Sequence, residues 1–232
     1  MCIWLTSLTW QLGDNSTIIV VTMADEGGST GILREEFGIL PPGDVRKALI
    51  ALADADNKLL SELFNYRFKE GAGLTGHNFG NLMLAALERI TGGFSSAVKE
   101  AEKILGVKGR VLPSTLTKSR LFAELEDGRV IKGEGNIDIP GQDGRARIIK
   151  KVWLKPKAAI NPEARIEILK ADAIVIGPGD LYTSLLPNIL VEGVPQAIKE
   201  SKAKKIYVVN FMTKYGETHG FVAGDFVIVS LI

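Results

Sequence analysis

The chain has 232 residues, of which 46% are hydrophobic, and this suffices for one large α/β domain or a domain with an insertion. Its 28 basic and 27 acidic residues nearly cancel, so it lacks the electrostatic footprint of a nucleic-acid-binding protein, and no apolar run approaches the roughly 18 residues of a membrane span. Cys2 is the only cysteine, which excludes an intramolecular disulfide. Because the N-terminus also lacks a basic region and a cleavage site, we expect a cytoplasmic protein.

The first part of the chain predicts one buried strand followed by three helices. Residues 18–21 form a short β-branched run that is typical of a buried strand. Asp44 is a good N-cap for a helix whose apolar residues then recur at helical spacing. Asn78 opens a second helix, and a third spans residues 94–105.

The middle of the chain is rich in predicted strands. Asp127 and Gly128 separate two alternating runs within residues 121–134, which is a hairpin signal, and residues 147–154 predict a further strand. We therefore interpret residues 110–155 as an elaboration on the main sheet rather than a separate domain.

The last third of the chain alternates helices and strands. The predicted elements are a helix from 162 to 170 that Asn161 caps, a strand at 173–176, a helix from about Thr183, a helix from 194 to about 202 and a strand at 206–209. This order favours a mostly parallel sheet with helices on its faces, within a single α/β domain over residues 1–232.

In an open parallel sheet, ligands bind beyond the carboxyl ends of the strands. The segments ADEGGSTG, IGPGDLYTS and VNFMTKYGETHG each follow a predicted strand, and PPGDVR and TGHNFGN place polar groups at helix starts. The candidate ligand-binding residues in these segments are Asp25, Gly27, Gly28, Ser29, Asp44, Arg46, His77, Asn78, Asn81, Gly177, Gly179, Tyr182, Thr183, Ser184, Asn210 and Thr213.

Each of these segments also has a purely structural interpretation. The glycines of IGPGDLYTS would let a phosphate approach the backbone at a helix start, or they would simply make a strand-to-helix turn that Thr183 caps. Asp25 fits an Asx-type turn as well as a ligand contact. Capping is a strong structural alternative for Asn78, and an ordinary polar loop is the alternative for Asn210.

The sequence also excludes several kinds of site. The two histidines of the chain are too few for a zinc site built from several His and Cys ligands. No nucleophile motif, Walker loop or dinucleotide fingerprint occurs.

Five segments in order carry a family resemblance. They are ADEGGSTGILREEFGILPPGDVRKALIALA, LTGHNFGNLMLAAL, AELEDGRVIKGE, IGPGDLYTSLLPNILVEGVPQAI and NFMTKYGETHGF. Together they resemble the YvcK-like gluconeogenesis factors (UPF0052), which are relatives of the CofD phospholactate transferases. The resemblance covers about residues 17–222.

The resemblance implies a Rossmann-like three-layer fold and a regulatory protein that binds a UDP-sugar such as UDP-N-acetylglucosamine. Such proteins support growth on gluconeogenic carbon sources and normal cell shape, without established catalysis, and family analogy implies a dimer or larger homo-oligomer. A CofD-like enzyme is the alternative. It would transfer a phospholactyl group to a deazaflavin with Mg²⁺, and Asp25 would then help to hold the metal or the acceptor. A third possibility is a degraded member that binds nothing.

Four features depart from the family pattern. No GGGTG loop is present where MCIWLTSLTWQLGDNS stands, Glu26 replaces a usual aspartate, Asp180 replaces a common serine, and the pattern ends after about Val222. We therefore expect both ends to be truncated or altered, and a lost first strand would remove half of the phosphate cradle.

Overall fold

A five-stranded parallel sheet and a three-stranded antiparallel sheet form the β structure of the molecule. The structure is a computed structural model that describes residues 2–5, 17–138 and 148–231. The strands are β1 Cys2–Leu5, β2 Thr17–Val21, β3 Arg110–Pro113, β4 Arg120–Leu125, β5 Val130–Lys132, β6 Ile149–Lys155, β7 Ala173–Ile176 and β8 Lys204–Tyr207.

Helices flank these strands along the chain. They are α1 Gly28–Phe37, α2 Gly43–Leu52, α3 Lys58–Asn65, α4 Phe79–Thr91, α5 Phe94–Leu105, α6 Glu134–Asp138, α7 Pro162–Lys170, α8 Leu186–Ile189, α9 Val194–Glu200 and α10 Ala223–Leu231. A 3₁₀ turn at Ala55–Asn57 precedes α3, and a π-helical turn at Leu181–Leu185 leads into α8. Among the described residues, no helix is both long and apolar enough to cross a membrane.

The parallel sheet has the strand order β3-β2-β1-β7-β8, which confirms the predicted α/β fold with a parallel sheet. Strand β1 lies in the centre, where Ile3 is in register with Ile18 of β2 and with Ile174 of β7. The first strand is therefore present, although its sequence CIWL differs from the family pattern, and it pairs on both sides. The GGGTG position itself falls mostly on residues 6–16, which lie outside the described part of the chain.

Two helical layers cover the parallel sheet because alternate residues of a strand point to opposite faces. Ile19 and Val21 of β2 belong to a buried cluster with residues of α2, α4 and α5. Ile18 and Val20 belong to another cluster with residues of α7 and α9. The continuous apolar run of β2 is thus explained by burial on both faces.

The smaller sheet has the order β5-β4-β6 and contains the predicted hairpin, in which β4 and β5 pair antiparallel around the turn at Asp127 and Gly128. Its buried residues, among them Leu121 and Ala123, pack against Leu181 of the π-helical turn. Strand β3 pairs with β2 in the main sheet, so the β-rich elaboration begins after β3 rather than at residue 110. The single-domain interpretation stays a prediction.

Three predicted boundaries are wrong. Asp44 is the second residue of α2 and Pro42 its N-cap, since the chain already turns helical at Gly43. The helical segment predicted from Thr183 begins two residues earlier, with Asp180 as its N-cap. Strand β8, Lys204–Tyr207, begins and ends two residues before the predicted bounds of 206–209. The sequence does not predict helices α1, α3, α6 and α10.

Candidate functional site

A cleft of about 650 Å³ lies at the carboxyl ends of the parallel strands. The chain moves outward from β1 to β2 and β3 on one side and to β7 and β8 on the other, so the strand order reverses at β1. The cleft joins these two halves, as expected for the ligand crevice of an open α/β sheet. Its lining residues are Asp44, Lys47, Glu134, Pro178, Gly179, Asp180, Ser184, Asn210, Phe211 and Met212.

The loop after β7 forms one wall of the cleft and is held by Asn210. The Asn210 side chain accepts a hydrogen bond from Gly179 N (3.1 Å) and donates one to Gly179 O (2.9 Å). Gly177 has a φ of +85°, and a Cβ there would lie 2.6 Å from Val208 O, so this turn requires glycine. Asn210 therefore acts here as a clamp on the loop.

Three carboxyl groups, which we call the Asp25 group, interact electrostatically beside this wall: Asp25, Asp44 and Glu134. Asp25 Oδ1 accepts a hydrogen bond from Gly27 N (2.8 Å), and Asp25 Oδ2 packs against Gly43, where a Cβ would overlap it. Burial, reinforced by the charges of Asp25 and Asp44, raises the pKa of Glu134 to about 8. Burial and the neighbouring carboxylates thus disfavour the ionised form of Glu134.

Lys47 offsets part of that charge. Its Nζ donates to Asp44 Oδ1 at 2.9 Å. Burial raises the pKa of Asp44, although Lys47 opposes this effect. Burial alone would lower the pKa of Lys47, but Asp44 raises it.

A second acidic cluster carries its own cation. Lys214 Nζ makes ion pairs with Asp138 and with Asp180 (2.7 Å) and lies 3.8 Å from Glu217. These four residues are called the Lys214 cluster. The three carboxylates lie close enough together to chelate a metal ion, but the lysine ammonium already stands among them, so the cluster fits a cation poorly. The ion pairs raise the pKa of Lys214 against the effect of burial.

Glu217 caps the π-helical turn at the edge of the cleft. Its buried carboxylate accepts hydrogen bonds from Thr183 Oγ1 (2.6 Å) and from Tyr182 N (3.0 Å). Burial raises the pKa of Glu217 to about 7, although the two hydrogen bonds lower it. A carboxylate of the protein therefore occupies part of the helix start that the sequence suggested for a phosphate.

His77, Asn78 and Asn81 of TGHNFGN form a buried hydrogen-bond network with residues of α1 and α2. Asn78 caps α4 by accepting from Asn81 N (3.2 Å), as its structural interpretation predicted. Ser29 Oγ lies 3.3 Å from His77 Nδ1 and accepts from Asn78 N (3.2 Å). Arg46 Nε donates to Asn81 Oδ1 (3.1 Å). These residues connect α1, α2 and α4, and all of them are buried.

A separate groove of about 500 Å³ runs along α1. Gly28 lines it together with Glu26, Arg34 and Arg120. Arg34 donates to Asp25 O (3.1 Å), Glu26 Oε1 (3.2 Å) and Ser119 O (2.8 Å), which ties the end of β2 to the start of β4. Ion pairs of Glu26 with Arg34 and with Arg120 lie along this groove.

The structure thus brings only some of the candidate residues to the cleft. Asp44, Gly179, Ser184 and Asn210 line it, and Asp25 adjoins it through Gly43 and Asp44. The others lie elsewhere: Gly27 and Gly28 at the start of α1, Ser29, Arg46, His77, Asn78 and Asn81 in the buried hydrogen-bond network, Gly177 under the β7 loop, Tyr182 and Thr183 against Glu217, and Thr213 on the surface. Their ligand contacts stay predictions.

Several residues that line the cleft were not among the predicted site residues, including Lys47, Glu134, Phe211 and Met212. A signal for Glu134 was available, since it ends the quoted segment AELEDGRVIKGE. Phe211 and Met212 stand inside NFMTKYGET, where only the polar residues Asn210 and Thr213 were considered.

The chain is similar in sequence to one known protein family and to several of its members. The family model described as 2-phospho-L-lactate transferase CofD matches residues 5–230. Putative gluconeogenesis factors from Nostoc sp. and Aquifex aeolicus are each 52% identical to the chain over 89% of its length. A gluconeogenesis factor from Halalkalibacterium halodurans is 48% identical over 90% of it. The chain spans only 44%, 62% and 64% of the length of these three relatives.

A crystal structure described as a member of the UPF0052 family, from Bacillus halodurans, superposes with a TM-score of 0.89. It is 43% identical in sequence and covers 98% of this chain, while the chain covers 74% of that structure.

Proposed function

Because the chain belongs to the YvcK-like gluconeogenesis factor family (UPF0052), which is related to CofD, we propose that it is a regulatory protein that binds a nucleotide sugar of the UDP-N-acetylglucosamine type. The observation that carries this proposal is the cleft across the two halves of the sheet. Its volume of about 650 Å³ falls within the range of about 300–1,000 Å³ that small-molecule pockets occupy. Asp44, Glu134 and Ser184 offer hydrogen-bonding groups for sugar hydroxyls.

The charge of the cleft bears on how a diphosphate would bind. Asp44, Glu134 and Asp180 line it, with Lys47 as the single lysine among the described lining residues. Mg²⁺ prefers oxygen ligands and is commonly held by one or two carboxylates together with substrate phosphates. Asp44 lines the cleft and Asp25 adjoins it, so these two carboxylates would hold such an ion beside the phosphates. When bound, Mg²⁺ would neutralise phosphate charge next to these carboxylates.

The carboxylates that would hold Mg²⁺ also support a second candidate function. A CofD-like transferase would use Mg²⁺ at the Asp25 group to position a nucleotide-activated phospholactyl donor for a deazaflavin acceptor. We favour the regulator, because the hairpin AELEDGRVIKGE and the segment MTKYGET are closer to the gluconeogenesis factors.

Our proposal extends to the cellular role. The protein would support growth on gluconeogenic carbon sources and normal cell shape, would act as a dimer or larger homo-oligomer, and would work in the cytoplasm, as its single cysteine favours. Deleting the gene should then impair growth on a gluconeogenic carbon source and alter the shape of the cells.

Calorimetric titration with UDP-N-acetylglucosamine, with and without Mg²⁺, tests the binding. We expect wild type to bind, Mg²⁺ to strengthen binding, and Asp25→Asn to remove most of the Mg²⁺ effect. Asp56→Asn, in the exposed turn before α3, is the matched control and should bind like wild type.

Three other outcomes would overturn parts of this proposal. Equal affinity of Asp25→Asn and wild type with Mg²⁺ present would remove Asp25 from the site. Transfer of a phospholactyl group to a deazaflavin would favour the transferase. Failure of wild type to bind UDP-sugars or guanine nucleotides would refute nucleotide binding altogether.

A further inference from the structure

Two exposed apolar side chains stand together at the mouth of the cleft. Phe211 is fully exposed and Met212 is 77% exposed, and both line the cleft. Single exposed apolar residues are common on protein surfaces. Here two adjacent ones border a cleft whose other side chains are mostly charged or polar, and this contrast points to a ligand with one apolar face.

The segment that carries Phe211 is fastened on both sides. Before it, Asn210 is bound to both backbone groups of Gly179. After it, Lys214 makes ion pairs with Asp180 and Asp138, and its backbone N–H donates to Thr218 Oγ1 (2.9 Å). Because both ends are held, a ligand that packs on the ring would order little additional chain, which favours binding.

We propose that Phe211 stacks on the base of the bound nucleotide. This inference rests on the proposed function and adds where the base of the ligand lies, namely at the mouth of the cleft. Among the described residues that line the cleft, Phe211 is the only aromatic one. Charged groups and hydroxyls such as Lys47, Glu134 and Ser184 suit phosphates and a sugar, whereas a planar base has a π face that an aromatic ring matches.

The same arrangement explains the position of Met212. Its thioether chain is flexible and polarisable, and it lies beside the proposed base site, where it would cover the edge of the base. The base would then be held by shape and stacking at the rim, and the phosphates would lie further in.

Titration of three ligands into Phe211→Ala tests the proposal: UDP-N-acetylglucosamine, UDP, and N-acetylglucosamine 1-phosphate, which lacks the base. We expect UDP and the UDP-sugar to bind about 5- to 100-fold more weakly than to wild type. N-acetylglucosamine 1-phosphate should bind within about twofold of wild type. Phe211→Trp should restore the affinity, and its added fluorescence should be quenched by UDP.

Leu59→Ala is the control, because Leu59 is 79% exposed on α3 and does not line the cleft. Unchanged UDP affinity in Phe211→Ala would overturn the inference. Equal weakening of N-acetylglucosamine 1-phosphate would also overturn it, since the ring would then contact the sugar. Wild type that binds none of the nucleotides would refute the proposed function and this inference with it, whereas wild-type binding that Phe211→Ala leaves intact refutes the inference alone.

Discussion

Replacing Glu134 by glutamine should make the stability of the protein less dependent on pH. Burial and the neighbouring charges of Asp25 and Asp44 raise the pKa of Glu134 from 4.5 to about 8. An acid whose pKa is higher in the folded state stabilises the fold when it is protonated. That contribution is complete below about pH 4.5 and is lost as the pH rises through about 8.

The size of the effect follows from the same two values. The difference between 4.5 and about 8 corresponds to at most roughly 5 kcal/mol of unfolding free energy, at about 1.4 kcal/mol per pH unit. The Glu134 side chain is only half-buried, and solvent weakens its repulsion from the other carboxylates. We therefore expect Glu134→Gln to be about 2 kcal/mol more stable than wild type at pH 9 and close to it in stability at pH 5.

Urea unfolding of both proteins at pH 5, 7 and 9 measures this difference. Glu36→Gln serves as the control, because Glu36 is an exposed glutamate of α1, and it should track wild type at each pH. If the stabilities of Glu134→Gln and wild type change in parallel from pH 5 to pH 9, Glu134 does not carry the repulsion that we assign to it.

Three further changes test the walls of the cleft. Gly43→Ala places a methyl group against Asp25 Oδ2 and Thr30 Oγ1, so it should cost about 2 kcal/mol of stability. A double-mutant cycle by urea unfolding should show a smaller cost in an Asp25→Ala background, where only the contact with Thr30 remains, and additive costs would contradict the contact with Asp25. Thr183→Val removes a hydrogen bond that favours the ionised form of Glu217, so it should lower the unfolding free energy by about 1–2 kcal/mol, and by more at pH 8.5 than at pH 5.5. Equal losses of stability at the two pH values would contradict this preference for the ionised carboxylate. Asn210→Leu removes both bonds of the clamp, so limited proteolysis of the loop after β8 should be faster than in wild type, and an unchanged rate would show that the clamp does not hold that loop.

Local sequence signals predicted much of the fold. Helix α5 and strand β7 have the predicted bounds, and Asn161 caps α7 as expected. In each case the signal is local: an apolar period that a glycine ends, a short β-branched run, or an N-cap followed by proline. Strand β1 was missed because CIWL is only four residues long and its pairing partners lie far along the chain.

The candidate site was predicted less completely than the fold. Asp44, Gly179 and Asn210 meet at one cleft because the carboxyl ends of parallel strands share an edge of the sheet. What their side chains do there depends on long-range partners. Asn210 binds Gly179 across 31 residues of chain, and Glu217 caps a turn 34 residues before it. Such long-range contacts produce no periodic pattern in a single sequence. The sequence therefore could not show that the side chains of Asn210 and Glu217 bind the protein itself rather than a ligand.

The two acidic clusters differ in a way that orients the proposed ligand. The Lys214 cluster contains its own cation, which fastens the loop that carries Phe211. In the Asp25 group, Lys47 makes its ion pair with Asp44, and a divalent cation bound there would relieve the repulsion between Asp25 and Asp44. Under the proposed function, phosphates that share such a cation lie beside the Asp25 group, and this leaves the base to reach the rim at Phe211. Affinity should then depend on Mg²⁺ through the phosphates and on Phe211 through the base, and the two dependences should combine additively, because the groups responsible lie at different places in the cleft.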